Sequence, residues 1–156
     1  MGRRRRAAIR KIQPDPKFNS IVVSKFINNL TWDGKKSIAQ KIFYGAIERI
    51  EKITKEDGLV VFERALNNVK PILEVRPRRV GGATYQIPME VRSNRKESLA
   101  IKWIIQSARE RPEHEMEGRL AQEIIAASKN EGNAIKKREE VHKMAEANKA
   151  FAHFRW

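Results

Sequence analysis

The chain has 156 residues, 40% of them apolar, and no cysteine, which excludes disulfide scaffolds, thiolate nucleophiles, zinc–thiolate sites and iron–sulfur clusters. Its 33 Lys and Arg stand against 19 Asp and Glu, a formal charge of +14 that points to a polyanionic partner. No apolar run approaches the roughly 20 residues of a membrane-spanning helix, and a chain of this size buries roughly 68–70% of its extended surface, so a single domain over 1–156 is expected without a membrane, metal or cofactor to hold it.

The charge is segregated. Residues 1–36 hold ten Lys/Arg and two acids, residues 37–74 six of each, residues 75–111 nine bases and three acids, and residues 112–156 eight of each. A chain built only for solubility would intersperse its signs. Two cationic blocks separated by a neutral one suggest one binding surface assembled from both.

Residues 1–17 read as a basic arm: Arg3, Arg4, Arg5, Arg6, Arg10 and Lys11 precede Pro14 and Pro16, which block early helix. An Arg-rich start can also be a transit peptide, but this one is short, lacks serines and runs straight into periodic sequence; no apolar segment of a secretory signal follows. From Phe18, the residues Phe18, Ile21, Val22, Phe26 and Leu30 recur at helical spacing, with Asn19 or Ser20 as cap, until Trp32-Asp33-Gly34 breaks the pattern. A second helix is expected over 35–54 with Ile38, Ile42, Ala46, Ile50 and Ile53 on its buried stripe. A third, capped by Asp57, carries Leu59, Phe62, Leu66 and Val69 up to Pro71.

The period then drops to two. Segments 72–80 and 83–91 flank Gly81-Gly82, a dipeptide suited to the positive φ angles of a tight hairpin turn. Pro77 and Pro88 cannot donate to a ladder, so the pair is expected to stand alone as a two-stranded ribbon over 72–91. Tyr85 can pack the ribbon's apolar face onto the helices, the favoured reading, or stack on a base, and Trp32 faces the same choice between packing in a core or interface, again favoured, and stacking. Helical spacing returns at Asn94, which with Glu97 can form a capping box, and Leu99, Trp103, Ile104 and Ala108 define the stripe before Pro112. Glu113, Glu115 and Glu117 suit the start of a fifth helix bearing Met116, Leu120, Ile124 and Ala127. A sixth, from about 133 to 150, has few large apolar residues, so it is expected to pack by a thin edge; residues 149–156 form the tail. The fold class is therefore mainly α: a six-helix bundle with a protruding β-hairpin between the third and fourth helices and a basic N-terminal arm.

Catalytic patterns fail one by one. His114 lies in Glu113-His114-Glu115-Met116-Glu117, which lacks the second histidine of a zinc-protease helix. His142 reads as a surface histidine, and His153 lies in the tail. Gly34-Lys35-Lys36-Ser37 lacks the first glycine of a P-loop, where Asn29 stands, and has Lys36 in place of the hydroxyl residue. No enzyme is expected. The ribbon instead places Arg76, Arg78 and Arg79 beside its turn and Arg92, Arg95 and Lys96 where it re-enters the body, groups suited to two-pronged phosphate contacts. Arginines without a recognition helix suit folded RNA, read by shape and backbone.

The residues Asp33-Gly34-Lys35-Lys36-Ser37, Arg78-Arg79-Val80-Gly81-Gly82-Ala83-Thr84-Tyr85-Gln86, Lys136-Lys137-Arg138-Glu139-Glu140 and the run from His142 to Trp156 closely resemble the family of ribosomal protein seven of the bacterial small subunit. The likeness spans about residues 14–156. It implies a primary binder of small-subunit ribosomal RNA that nucleates folding of the 3′ major (head) domain, on a cytoplasmic or an organellar ribosome. By this resemblance the RNA contacts are Arg3, Arg4, Arg5, Arg6, Arg10, Lys11, Lys25, Lys35, Lys36, Arg76, Arg78, Arg79, Arg92, Arg95, Lys96 and Lys102. Arg79, Val80, Gly81, Gly82 and Ala83 at the ribbon tip, with Lys136, Lys137, Arg138, His142, Met144 and Asn148 of the last helix, would lie near exit-site tRNA and mRNA. Ribosomal proteins nine and eleven would be its neighbours. The alternative is a general RNA chaperone or architectural nucleic-acid-binding protein, with an RNA-processing enzyme a more distant third.

Overall fold

In the computed structural model, which describes residues 7–8 and 10–154, the chain runs α1 (Ile21–Leu30), α2 (Lys36–Thr54), α3 (Gly58–Val69), β1 (Leu73–Val80), β2 (Ala83–Glu90), α4 (Ser93–Arg109), α5 (Met116–Ser128) and α6 (Asn133–Ala147), then a 3₁₀ turn (Lys149–Phe154). Six helices with one hairpin between the third and fourth match the expected fold class. Arg3, Arg4, Arg5 and Arg6 lie outside the described residues.

The arm meets the body at Asp15, which is buried. Its carboxylate accepts the backbone N–H groups of Lys17 and Phe18 and, at 2.8 Å, the hydroxyl of Tyr44 on α2. Burial, together with that hydrogen bond and the charge of Asp15, pushes the Tyr44 hydroxyl up to about 12. Ser20, one of the two expected caps, accepts from Val23 N–H at the start of α1. Asp57 caps α3 as expected, accepting from Leu59 N–H. Gly58 is required there: a Cβ would sit 2.7 Å from Ile47 Cγ2, so its absence lets α3 approach α2.

Phe26, Phe43 and Phe62, one from each of the first three helices, form a buried aromatic cluster with ring centroids 5.2–5.3 Å apart. Each fully buried side chain of this size contributes roughly 1.5–3 kcal/mol of transfer free energy, with up to ~1.5 kcal/mol more per aromatic pair. This cluster corrects the stripe expected for α2. Phe43 faces inward, so Ala39, Phe43, Ala46, Ile47 and Ile50 are buried, while Ile38 and Ile53 are 52% and 56% exposed. One helical position is about 100°, and an aromatic cluster outweighs two terminal isoleucines at the rim. Similarly Ile21 of α1 is exposed and Val23 buried.

Helix α5 lies against α2, α3, α4 and α6 and presents Leu120 and Ile124 to them. Its Glu123 is fully buried: Oε2 accepts from Arg111 Nε at 2.7 Å and Oε1 accepts the Ala134 N–H in the first turn of α6 at 2.9 Å. Helix α6 ends at Ala147 rather than about 150, because the chain tightens into the 3₁₀ turn after Asn148. As expected from its composition, it buries only Ala134, Ile135 and Ala145.

The expected capping box on α4 does not form. The helix starts at Ser93, so Asn94 is already within it, and Glu97 instead accepts from Lys25 Nζ of α1 at 2.8 Å. A charge-assisted bond to a neighbouring helix outcompetes the local one. The ribbon closes as anticipated: Val80 pairs with Ala83 across Gly81 and Gly82, whose φ angles of 58° and 89° make a two-residue turn of the hairpin-favouring class. Its base is buried at Ile87, Pro88 and Val91, whereas both sides of its tip are exposed. Tyr85 packs on Phe151 of the 3₁₀ turn, at 5.1 Å between centroids, so the tail folds back onto the ribbon.

Candidate nucleic-acid interface

On α4, Arg95, Lys102 and Arg109 are spaced by seven residues, which returns each to within about 20° of the same direction on a 3.6-residue helix. Lys102 and Arg109, with Ile105, Gln106 and Asn29 of α1, line an open groove of about 630 Å³ along the seam between the two helices. Among the described residues, three polar or cation–π contacts tie the seam. Lys25 of α1 pairs with Glu97 of α4, and the Arg109 guanidinium lies over the Trp32 ring, 4.7 Å from its centroid, while its Nη2 donates to the Leu30 carbonyl. Cations from the first basic block and from the second thus occupy one surface, continued by the exposed Lys35 and Lys36 after Trp32.

At the upper end of the seam, Glu74 is 6% exposed at the ribbon base. Its Oε1 accepts from Arg76 Nε at 2.8 Å and its Oε2 from Arg95 Nε at 2.6 Å. Burial pushes this carboxyl up, but the hydrogen bonds and charges of Arg95 and Arg76 outweigh it and hold Glu74 below the ordinary carboxylate range. The pairing orients two guanidinium groups that are each about half exposed, so their outward N–H groups remain able to meet phosphate. Arg92, just before α4, and Arg78 and Arg79 near the ribbon tip are exposed, and Lys96 is half-buried. Arg10 and Lys11 are exposed in the segment leading to Asp15.

Residues of α6 divide into two groups. Lys136 and Lys137 are exposed and line a cleft against α4 with Trp103, Gln106 and Glu110; Met144 is exposed, and Asn148 closes the helix by donating to the Met144 carbonyl. Arg138 and His142 are used inward: Arg138 donates to the Asn68 carbonyl at the end of α3, and His142 Nε2 accepts the Ile72 N–H at 3.0 Å. That last contact joins α6 to the foot of the ribbon, a role the composition of α6 did not reveal. Arg109 and Trp32 are the other residues missed as a pair. The seven-residue recurrence of Arg95, Lys102 and Arg109 was the available signal for the former, whereas the stacking of Arg109 on Trp32 is tertiary.

The His142 contact has a pH consequence. Burial and the charge of Arg138 hold its imidazole below the usual histidine value. The neutral form is the acceptor for Ile72, so its contribution is complete above pH 6.5, the unfolded value, and is lost as pH falls through the lower folded value. Protection of the Ile72 amide, the slowing of its exchange relative to the intrinsic rate at the same pH, is expected to fall on acidification below that range, and His142→Gln, which retains an acceptor but cannot titrate, to make that protection independent of pH. The same pH profile of protection in both proteins would show that the latch does not titrate.

Among the described residues, no group of three or more His, Cys, Asp or Glu could hold a metal ion, and no helix is long and apolar enough to cross a membrane. Residues 2–149 match the family described as Ribosomal protein S7p/S5e. The small ribosomal subunit protein uS7 of Afipia carboxidovorans is 60% identical over 156 residues, all of both chains. The protein of the same description from Thermotoga maritima is 60% identical over 154 residues, 99% of each chain, and that of Rhodopseudomonas palustris 58% identical over all 156.

Proposed function

We propose that this chain, which belongs to the Ribosomal protein S7p/S5e family, organises the 3′ major domain of small-subunit ribosomal RNA by clamping RNA helices against the α1/α4 seam. At the coarser level its role is structural: it is an RNA-binding, non-enzymatic component of the small ribosomal subunit. The observation that carries the finer reading is the meeting of α1 and its following turn with α4, where Lys25 pairs with Glu97, Trp32 lies under Arg109, and Lys102 and Arg109 line one groove. RNA helices that repel one another at a junction can be held together when fixed cations replace their condensed counterions. The arm, the Lys35-Lys36 turn and the arginines of the ribbon would extend that surface.

The ribbon tip and α6 serve a second neighbourhood in this proposal. Glu74 and Ile87 are the buried residues nearest the tip, so four or five residues at about 3.3 Å each carry Arg79 to Ala83 roughly 15 Å beyond the buried base. With Lys136, Lys137 and Met144 exposed on α6, this end would face exit-site tRNA and mRNA, with ribosomal proteins nine and eleven beside it, on a cytoplasmic ribosome. Replacing residues 79–83 by a short linker is expected to spare assembly and weaken retention of exit-site tRNA; blocked assembly would place the tip on ribosomal RNA instead.

Footprinting the purified protein on small-subunit ribosomal RNA, with bulk RNA as competitor, tests the main reading. Protection of one junction in the 3′ major domain, surviving competition, is the expected result. Diffuse protection that bulk RNA abolishes would make the protein a general RNA chaperone.

A further inference from the structure

Trp32 is 63% exposed, although it is one of the largest apolar side chains in the chain and sits within the cationic seam. Its position is not loose. Thr31 terminates α1 by donating its N–H and its hydroxyl to the Ile27 carbonyl, and the Trp32 carbonyl accepts the Lys35 N–H at 2.9 Å. Between them Asp33 and Gly34 adopt left-handed φ angles of 52° and 74°. On one side of the indole lies the Arg109 guanidinium. Lys35 and Lys36, both exposed, follow it in the turn with Asp33 as the neighbouring acid, and Lys102 stands seven residues before Arg109 on α4 in the same groove as Arg109.

A flat aromatic surface held in a turn, backed by a guanidinium and followed by two exposed lysines, has the two requirements of a platform for a single nucleobase. The π-face meets a base, and the cations meet the phosphates on either side of it. An apolar protein partner would not match the surrounding charge, and regular duplex would keep its bases inside the stack. We propose that Trp32 stacks an unpaired nucleotide of the bound RNA, with Arg109 fixing the ring from behind. Arg109 acts as a positioning residue; Trp32 touches the base. This inference rests on the RNA-scaffold reading above and makes it more specific, because the junction gripped by the seam must then offer an extruded base next to a sharp backbone turn.

Equilibrium binding of the full chain to a transcript of the 3′ major domain tests it. Trp32→Leu, which retains bulk without a π-face, is expected to weaken binding roughly 5- to 150-fold, the range for loss of one base–aromatic stack, while Trp32→Phe stays within about threefold of the parent. The loss should be equal at 50 and 200 mM salt, since no phosphate contact is removed. Replacing one unpaired nucleotide by an abasic site should reproduce the loss in the parent and have no effect in Trp32→Leu. A transcript carrying 5-iodouridine at that position should photocrosslink to Trp32 in the unmodified protein, which does not depend on how any variant folds. Equal affinity of Trp32→Leu and parent, or a crosslink confined to other residues, would overturn the stack while leaving the scaffold intact. Failure of the parent to prefer this transcript over bulk RNA would overturn the scaffold reading and the stack with it.

Discussion

Affinity for small-subunit ribosomal RNA is expected to fall by roughly 10³–10⁵ between 50 and 200 mM salt, on the duplex scale for six to ten cation–phosphate contacts. The structure refines which cations should contribute. Lys25 is engaged with Glu97, and Arg76 and Arg95 share Glu74, so part of their charge is already met by carboxylates. They position the seam more than they release counterions. Lys35, Lys36 and Lys102 are exposed and should behave as phosphate contacts proper. Lys102→Ala is therefore expected to lower the salt slope by about one and to weaken binding similarly for all sequences. Lys25→Ala should change the slope less and loosen α1 against α4 instead. A nearly flat titration of the parent would remove counterion release as the basis of binding.

The largest effect on stability is expected at Glu123, far from any ligand. Its carboxylate is 0% exposed, bonded to Arg111 and to the Ala134 amide. Glu123→Ala would leave the Arg111 charge with only Glu113, at 3.6 Å, and leave a first-turn amide of α6 without an acceptor. Breaking a buried pair costs about 3–5 kcal/mol and losing a cap about 1 kcal/mol. Because Arg111 keeps some water access and one partner, a total of about 3 kcal/mol is expected. For a domain of this size that is roughly 6–12 °C in the thermal midpoint. Glu123→Gln, which can still accept from Ala134, should lose about half as much. A midpoint within about 2 °C of the parent in Glu123→Ala would show that α6 is held mainly by its apolar edge. RNA binding measured well below the midpoint should not change, since Glu123 reaches no surface.

Much of the candidate site was legible because charge segregation survives folding. Lysines and arginines are held at the surface by their hydration, so a cationic block in the sequence becomes a cationic area in the protein. Which cations act outward and which act as internal ties was not legible. Arg138 and Lys137 are adjacent and chemically similar, yet one bonds the end of α3 and the other lies exposed. Lys25 and Lys35 differ in the same way, because only one of them faces a glutamate from another helix.

The order of the elements, the isolated ribbon and its turn, and the basic character of the binding surface were legible along the chain. Helical periodicity, the missing N–H groups of Pro77 and Pro88, and the φ freedom of Gly81 and Gly82 are properties of neighbouring residues along the chain. Packing between helices settled which face of α2 turned inward, that Glu97 serves Lys25 rather than its own helix end, and that Arg109 reaches Trp32. Each of these is a competition between a local partner and one brought close by packing. Its winner depends on a few tenths to a few kcal/mol that arise only after the helices have met.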